Sequence, residues 1–295
     1  MTDDACPLVR SVLCAHPGGL HRMAYREWQP ARAERRTVVC VHGLTRNGGD
    51  FDRLAEALVS EGYRVICPDL AGRGHSDWLA DASGYAVPQY VADMVTLLAR
   101  IDRAEVDWVG TSLGGMIGMT LASLSTAATP PVRRLLLNDI GPVLSRAGLA
   151  RIASYVGGGK HYTEFALAEA DLRERMATFG EHDDDEFRLL SRHYFVEDGA
   201  GWIAHYDPAI GDAFADVPDD DVAFWPVWQT IDCPVMVLRG ETSDLLSRET
   251  ALTMTRGGPE GDGPAALLET LPGVGHAPTL IRPEQVALVS RFLSS

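Results

Sequence analysis

Short, continuously apolar runs alternate along this chain with longer segments in which apolar residues recur every three or four positions. The runs Arg36–Val41 (RTVVCV), Tyr63–Cys67 (YRVIC), Val106–Val109 (VDWV), Arg134–Leu137 (RLLL) and Pro234–Leu238 (PVMVL) predict strands, with a weaker one at Ala265–Glu269. VVCV and VMVL show no polar alternation, the pattern of parallel strands covered on both faces. Helical spacing predicts helices over Phe51–Ser60, Val87–Arg100, Leu113–Leu124, Arg248–Thr255 and Pro283–Leu293. Leu8–Leu13 and His21–Trp28 read as an antiparallel pair at the sheet edge. Strand–helix alternation of this kind is the signature of the α/β class.

The rhythm breaks between Pro142 and Trp228, where GGGK, HDDDE and VPDDD punctuate an irregular, helix-like, aromatic-rich stretch. The expected organisation is an α/β core made of residues 1–141 and 229–295, with residues 142–228 inserted as a helical cap. No internal repeat or long low-complexity linker divides the chain further.

Composition narrows the partners. The 295 residues are 46% apolar and 23% charged, the balance of an ordinary soluble globular protein with chain enough for a real core, and carry a formal net charge of −15. Such a chain repels phosphate backbones and anionic lipid, so neither nucleic acid nor a membrane surface is expected as a partner. The acidity is uneven. Glu164–Asp221 holds 17 acidic and 4 basic residues, a local charge of −13, leaving about −2 for the rest. Carboxylates at the mouth of a site would disfavour anionic substrates; facing outward, they would only solvate the cap. Of 26 basic residues only Lys160 is lysine, which leaves little room for lysine-based chemistry. The start MTDDACPLVR is unlike a signal peptide, and no apolar run approaches the ~20 residues of a membrane span. Five cysteines without CxxC spacing (Cys6, Cys14, Cys40, Cys67, Cys233) read as reduced thiols in a cytoplasmic protein.

The strongest chemical signal is Gly110-Thr111-Ser112-Leu113-Gly114, a G-x-S-x-G between the strand VDWV and the apolar helix LGGMIGMTLASL. Small residues let the strand reverse sharply and project Ser112 at the apex, at a helix N-terminus that favours developing negative charge. A serine hydroxyl needs a base, and the base an orienting acid. His276, in the glycine-flanked loop GVGHAP, is the expected base. Asp244, in the loop RGETSD after PVMVL, is the expected acid, with Asp139 after RLLL second and Glu241 third. The acidic runs Asp183–Glu186 and Asp219–Asp221 lack the spacing of a calcium loop and predict no metal site.

In chain order, His42-Gly43, DLAGRGHSD (Asp69–Asp77), GTSLGG, LNDIGP, GETSD and GVGHAP resemble the α/β-hydrolase superfamily over essentially the whole length. The resemblance implies an eight-stranded, mostly parallel sheet with the cap inserted after the sixth strand. It implies the nucleophile–acid–base order, a nucleophile elbow at Ser112, and an oxyanion hole from the backbone N–H groups of Leu44 and Leu113. It gives His42 the task of ordering backbone rather than moving protons. No cofactor is called for.

The expected activity is hydrolysis of a small-molecule carboxylic ester or lactone through an acyl-enzyme on Ser112. Alternatives within the same fold are cleavage of a carbon–carbon bond in a dicarbonyl ring-cleavage product, and non-catalytic binding of a small ligand. Ala277, directly after His276, departs from the aromatic residue common there in carbon–carbon hydrolases. Arg46, near the pocket mouth, is a candidate for binding a carboxylate or polar acyl group, and Trp202 and Trp225 are candidates for lining an apolar pocket. A homo-oligomer is compatible with the sequence.

Overall fold

A computed structural model of the chain describes residues 6–31, 33–124, 130–199, 201–214 and 217–295, the side chains of residues 213 and 214 excepted. Most of the acidic start and Asp216 of the acidic segment lie outside the described residues. In chain order the strands are β1 (Leu8–His16), β2 (Gly19–Trp28), β3 (Thr37–Val41), β4 (Arg64–Pro68), β5 (Val106–Thr111), β6 (Val132–Asn138), β7 (Val143–Leu144), β8 (His161–Tyr162), β9 (Phe195–Asp198), β10 (Gly201–Ala204), β11 (Val222–Ala223), β12 (Val235–Gly240) and β13 (Leu267–Leu271). The helices are α1 (Asp52–Ser60), α2 (Val87–Arg100), α3 (Leu113–Ser123), α4 (Arg146–Ala153), α5 (Phe165–Arg175), α6 (Asp184–Tyr194), α7 (Trp225–Gln229), α8 (Arg248–Met254) and α9 (Pro283–Ser294).

Eight strands form one sheet in the order β1-β2-β4-β3-β5-β6-β12-β13. The β1–β2 hairpin and its contact with β4 are antiparallel; the remaining pairings, from β4 through β13, are parallel. The fold is the expected α/β arrangement. Strand period two explains why adjacent apolar residues serve different cores. Val39, Val41, Trp108, Leu135 and Leu137 face one buried cluster, under α2 and α3. Val38, Cys40, Val109, Leu136 and Leu238 face the other, covered by Leu54 and Leu58 of α1 and by Val289, Phe292 and Leu293 of α9. Each fully buried aliphatic side chain contributes roughly 1.5–3 kcal/mol, so these runs are strongly committed to the sheet interior.

The segment between β6 and β12 lies off this sheet, and it is not wholly helical. Besides α4–α7 it contains a three-stranded sheet, β8-β10-β9, and the pair β7–β11. Trp202 of β10 pairs across to Tyr162 and Glu197 and packs edge-on against Phe165, so an aromatic cluster offsets the cost of strands this short. The run HDDDE is the start of α6. Asp183 accepts from the Glu186 backbone N–H and Glu186 accepts from that of Asp183, a reciprocal cap with further carboxylates in the first turn.

Asp183, Asp184, Asp185, Asp219, Asp220 and Asp221 are exposed, so the two acidic runs of this segment face solvent. No helix among the described residues is long and apolar enough to cross a membrane.

Candidate functional site

The parallel strands deliver their loops to one end of the sheet, where ligands bind in folds of this kind. β5 ends in the turn carrying Ser112, whose backbone takes φ 51°, ψ −115°, outside the regions ordinary L-residues prefer. The glycines make that turn sterically feasible: a Cβ on Gly114 would run into the Val41 carbonyl, and one on Gly110 into the Gly114 carbonyl. The turn is fixed from outside by Ser112 N–H donating to Asn138 O at 3.0 Å and by Trp108 Nε1 donating to Gly114 O at 3.0 Å.

Ser112 Oγ lies 2.9 Å from His276 Nε2, and His276 Nδ1 lies 2.8 Å from Asp139 Oδ2. Asp139 is fully buried directly after β6, in a left-handed backbone conformation (φ 56°). Its carboxylate accepts from Gly240 N–H at 2.8 Å and from Ser243 Oγ at 2.6 Å, as well as from the imidazole. Asn138 Nδ2 bridges Thr111 Oγ1 and Pro278 O, tying the serine turn to the histidine loop.

The expected acid, Asp244, is not in this chain of hydrogen bonds. It forms a bidentate ion pair with Arg151 of α4, at the protein surface. Burial alone would raise its pKa, but the Arg151 hydrogen bonds and charge outweigh that and hold it below the ordinary carboxylate value. Asp139 directly follows β6 and its carboxylate meets the imidazole, whereas the Asp244 carboxylate is turned to Arg151. β6 is the immediate neighbour of β5, whereas β12 lies one strand further out. The β12 loop supports Asp139 through Gly240 and Ser243. Glu241 accepts from Gly273 N–H at 3.0 Å and so braces the histidine loop.

Leu44 follows β3, and its carbonyl is held by Arg73 Nε at 2.8 Å. Arg73 is completely buried; Nη1 donates to Ala71 O and Tyr90 Oη, and the guanidinium lies over the Tyr85 and Tyr90 rings. Sequence reasoning gave this residue no role. Its signal was an arginine inside the otherwise small and polar DLAGRGHSD motif. Neighbouring His42 donates from Nδ1 to Gly43 O at 2.7 Å and accepts Leu70 N–H on Nε2 at 2.9 Å. Both nitrogens are spent on backbone, and complete burial pushes its pKa down to about 3, so the ring is neutral. Leu113 opens α3, where the first N–H groups have no intrahelical acceptor.

Two cavities meet at Ser112. One is walled by Leu44, Arg46, Tyr155, Arg175, Tyr194 and His276, among others. The second is largely apolar, with Leu44, Leu113, Met116, Ile140, Leu144 and Phe224 in its wall. Arg46 reaches the first cavity, but its guanidinium is already bidentate on Asp50 (2.5 and 2.7 Å) and donates to Leu190 O. Neither tryptophan singled out from the sequence lines a cavity at Ser112. Trp202 is committed to the aromatic cluster with Phe165, and Trp225 borders a separate depression with Val143 and Asp221.

On the far side of the sheet edge, buried Cys14, His21 and Asp93 place ligand-type atoms within 4.8 Å of one another. His21 Nε2 is 3.0 Å from Asp93 Oδ2, which joins the edge hairpin to α2.

A mostly parallel sheet whose fifth strand turns on a serine into a helix, with histidine and aspartate arriving from later loops, defines an α/β hydrolase. A model of the alpha/beta hydrolase family matches residues 38–288, and the chain belongs to that family. It is 45% identical over 300 residues to a 3-hydroxybutyrate-oligomer hydrolase of Cupriavidus necator, covering 98% of this chain and 99% of the relative. An α/β hydrolase structure from Novosphingobium aromaticivorans superimposes with a TM-score of 0.85 at 34% identity, covering 98% of this chain and 99% of that one. A putative hydrolase from Rickettsia typhi gives 0.87 at 28% identity, with 97% and 99% covered. The protein is a hydrolase built on the α/β fold.

Proposed function

We propose that this protein is a serine carboxylic-ester hydrolase acting on small hydroxy-acid esters, through an acyl-enzyme on Ser112. The observation that carries the reading is the continuous chain Ser112–His276–Asp139, 2.9 and 2.8 Å long at its two links, opening on the two cavities. His276 Nε2 takes the proton of Ser112 Oγ as the oxygen attacks the ester carbonyl carbon, and the carbonyl π pair moves onto oxygen. Leu44 and Leu113 N–H groups donate to that oxyanion, each worth on the order of 3 kcal/mol to the barrier. Collapse expels the alkoxide, which takes the proton from the imidazolium, leaving the acyl-enzyme. Water then attacks the acyl carbon as His276 takes its proton; the second collapse returns that proton to Ser112 Oγ and releases the acid. Asp139 holds the imidazole tautomer and stabilises its charged form.

The hydroxy-acid part of the reading is supported by the Cupriavidus relative, whose name describes hydrolysis of 3-hydroxybutyrate oligomers and whose likeness spans both chains. Residues 142–228 act as the cap over this site, with 1–141 and 229–295 as the core. The five free thiols suit a reducing, cytoplasmic setting.

Labelling with a fluorophosphonate probe, together with turnover of short aryl esters and 3-hydroxybutyrate dimer, tests the activity. Stoichiometric labelling abolished by Ser112→Ala, with ester turnover lost in the same variant, is the expected result. Labelling without turnover on any ester would favour a ligand-binding protein, and full turnover in Ser112→Ala would remove Ser112 as nucleophile.

A further inference from the structure

The local charge of −13 invites the expectation that anions are repelled from the site, but the carboxylates of the two acidic runs face solvent while the charged side chains on the cavity of Ser112 are arginines. Among the described residues lining the cavity shared by Ser112 and His276, the charged ones are Arg46 and Arg175, with no carboxylate. Arg175 and Tyr155 are also walls of an adjoining cavity, where the charged residues are Arg175 and Lys160, the single lysine of the chain. The two spaces therefore meet at one guanidinium.

The cations differ in how far they are already neutralised. Arg46 is matched by Asp50, and Arg151, beside Tyr155, by Asp244. Arg175 and Lys160 instead share one carboxylate. Asp171 lies 2.8 Å from Arg175 Nε and 2.6 Å from Lys160 Nζ, and accepts from Tyr162 Oη at 2.8 Å. Burial works to raise the Asp171 pKa, but these partners outweigh it and hold the group below the ordinary carboxylate value. Asp171 is thus a full anion facing two cations, and one positive charge is left over. Arg175 is one turn after Asp171 on α5, close enough for their ion pair, and its Nη1 is steadied by Tyr194 Oη at 3.1 Å.

We propose that Arg175 and Lys160 form a carboxylate subsite that binds the free acid end of the substrate and sets which ester bond lies over Ser112. This inference rests on the ester-hydrolase reading above and extends it. In an oligoester of a 3-hydroxy acid, the leaving alcohol carries its carboxylate two carbons from the ester oxygen. A cation in the cavity of Ser112 therefore suits that carboxylate when the terminal ester is over the nucleophile. The acyl part, with its methyl branches, occupies the apolar cavity of Leu113, Met116 and Ile140. The enzyme then removes hydroxy-acid units from the carboxyl end. A guanidinium offers paired N–H donors matched to a carboxylate, and Lys160 adds a mobile point charge.

The test compares the 3-hydroxybutyrate dimer as free acid and as its methyl ester. With the wild type, kcat/KM for the free acid should exceed that for the methyl ester at least tenfold, the difference residing in KM, and the preference should shrink as NaCl rises from 0.05 to 0.5 M. In Arg175→Gln the free-acid to methyl-ester ratio should collapse to about one, and in Lys160→Gln, whose side chain is mostly exposed and replaceable without unfolding, it should fall about threefold. Calorimetry with Ser112→Ala, titrating the same two compounds, reads the subsite without turnover and should show the same preference. A wild-type ratio near one, or a ratio retained in Arg175→Gln, overturns the subsite. Absent turnover of both compounds, with the binding preference intact, would instead overturn the ester-hydrolase reading and leave the subsite standing.

Discussion

Asp139 Oδ2 lies 2.8 Å from His276 Nδ1, and the same oxygen receives the Ser243 hydroxyl at 2.6 Å. A buried carboxylate bonded in this way fixes both the tautomer and the tilt of the imidazole. Asp139→Asn should lower kcat by roughly 10³–10⁴ while the fold is kept, as expected when the imidazole is held in the wrong tautomer. Asp244→Asn should keep kcat within about threefold, since it breaks only a half-exposed ion pair worth about 0–1 kcal/mol. Steady-state kinetics on one aryl ester compare the two; a larger loss from Asp244→Asn would reverse the assignment.

Ser243 acts on Asp139 rather than on substrate. Removing its hydroxyl leaves the carboxylate with one donor fewer, and a hydrogen bond to a charged group is worth about 1.5–3 kcal/mol. Ser243→Ala should therefore reduce kcat by about tenfold or more with little change in KM. Restoration by Ser243→Thr would show that the hydroxyl is what matters, and equal losses in both variants would point to packing instead.

Arg73 holds the Leu44 carbonyl from a fully buried position and thereby anchors the loop that carries one expected oxyanion donor. Arg73→Met should cut kcat by about 10–100-fold and weaken binding of a tetrahedral phosphonate analogue more than binding of product acid. An equal loss of affinity for both ligands would indicate general collapse of the loop.

Burial lowers the His42 pKa to about 3, and burial, reinforced by neighbouring His75, lowers that of His205 to about 4, from an ordinary 6.5. Both rings are neutral in the fold and protonate more readily once unfolded. Each therefore contributes stability that is complete above pH 6.5 and is lost as pH falls toward its folded value, at about 1.4 kcal/mol per pH unit. His205→Phe should flatten the urea-derived stability against pH between 6.5 and 4.5 by about one proton's worth. The ring protons of His42 should show no titration above pH 5 by NMR; a midpoint near 6 would contradict its burial.

Much of this was written in local pattern. The strands at Val38, Val65, Val109, Leu136 and Val237 were visible because a strand buried on both faces must be apolar at every position. The helix Val87–Arg100 was legible to the residue, since one face alone is buried and the period shows it. Ser112 was legible because its turn demands glycine at fixed offsets, and His276 because it stands in a glycine-flanked loop.

The β8–β10–β9 sheet and the contact of Asp139 with His276 were not legible, and for a common reason. Each depends on which segments become neighbours across many residues. Asp139 and Asp244 both follow apolar strands and both sit in polar loops, so local sequence does not rank them. Only the tertiary structure, which packs the loop after β6 under His276 and pairs Asp244 with Arg151, separates the two. Charge behaves the same way. The sequence alone determined that the inserted segment is acidic. The tertiary structure decided that those acidic runs face water while Arg175 and Lys160 line adjoining cavities and share one carboxylate, because the sign of a cavity depends on which side chains line it and not on the sum over the chain.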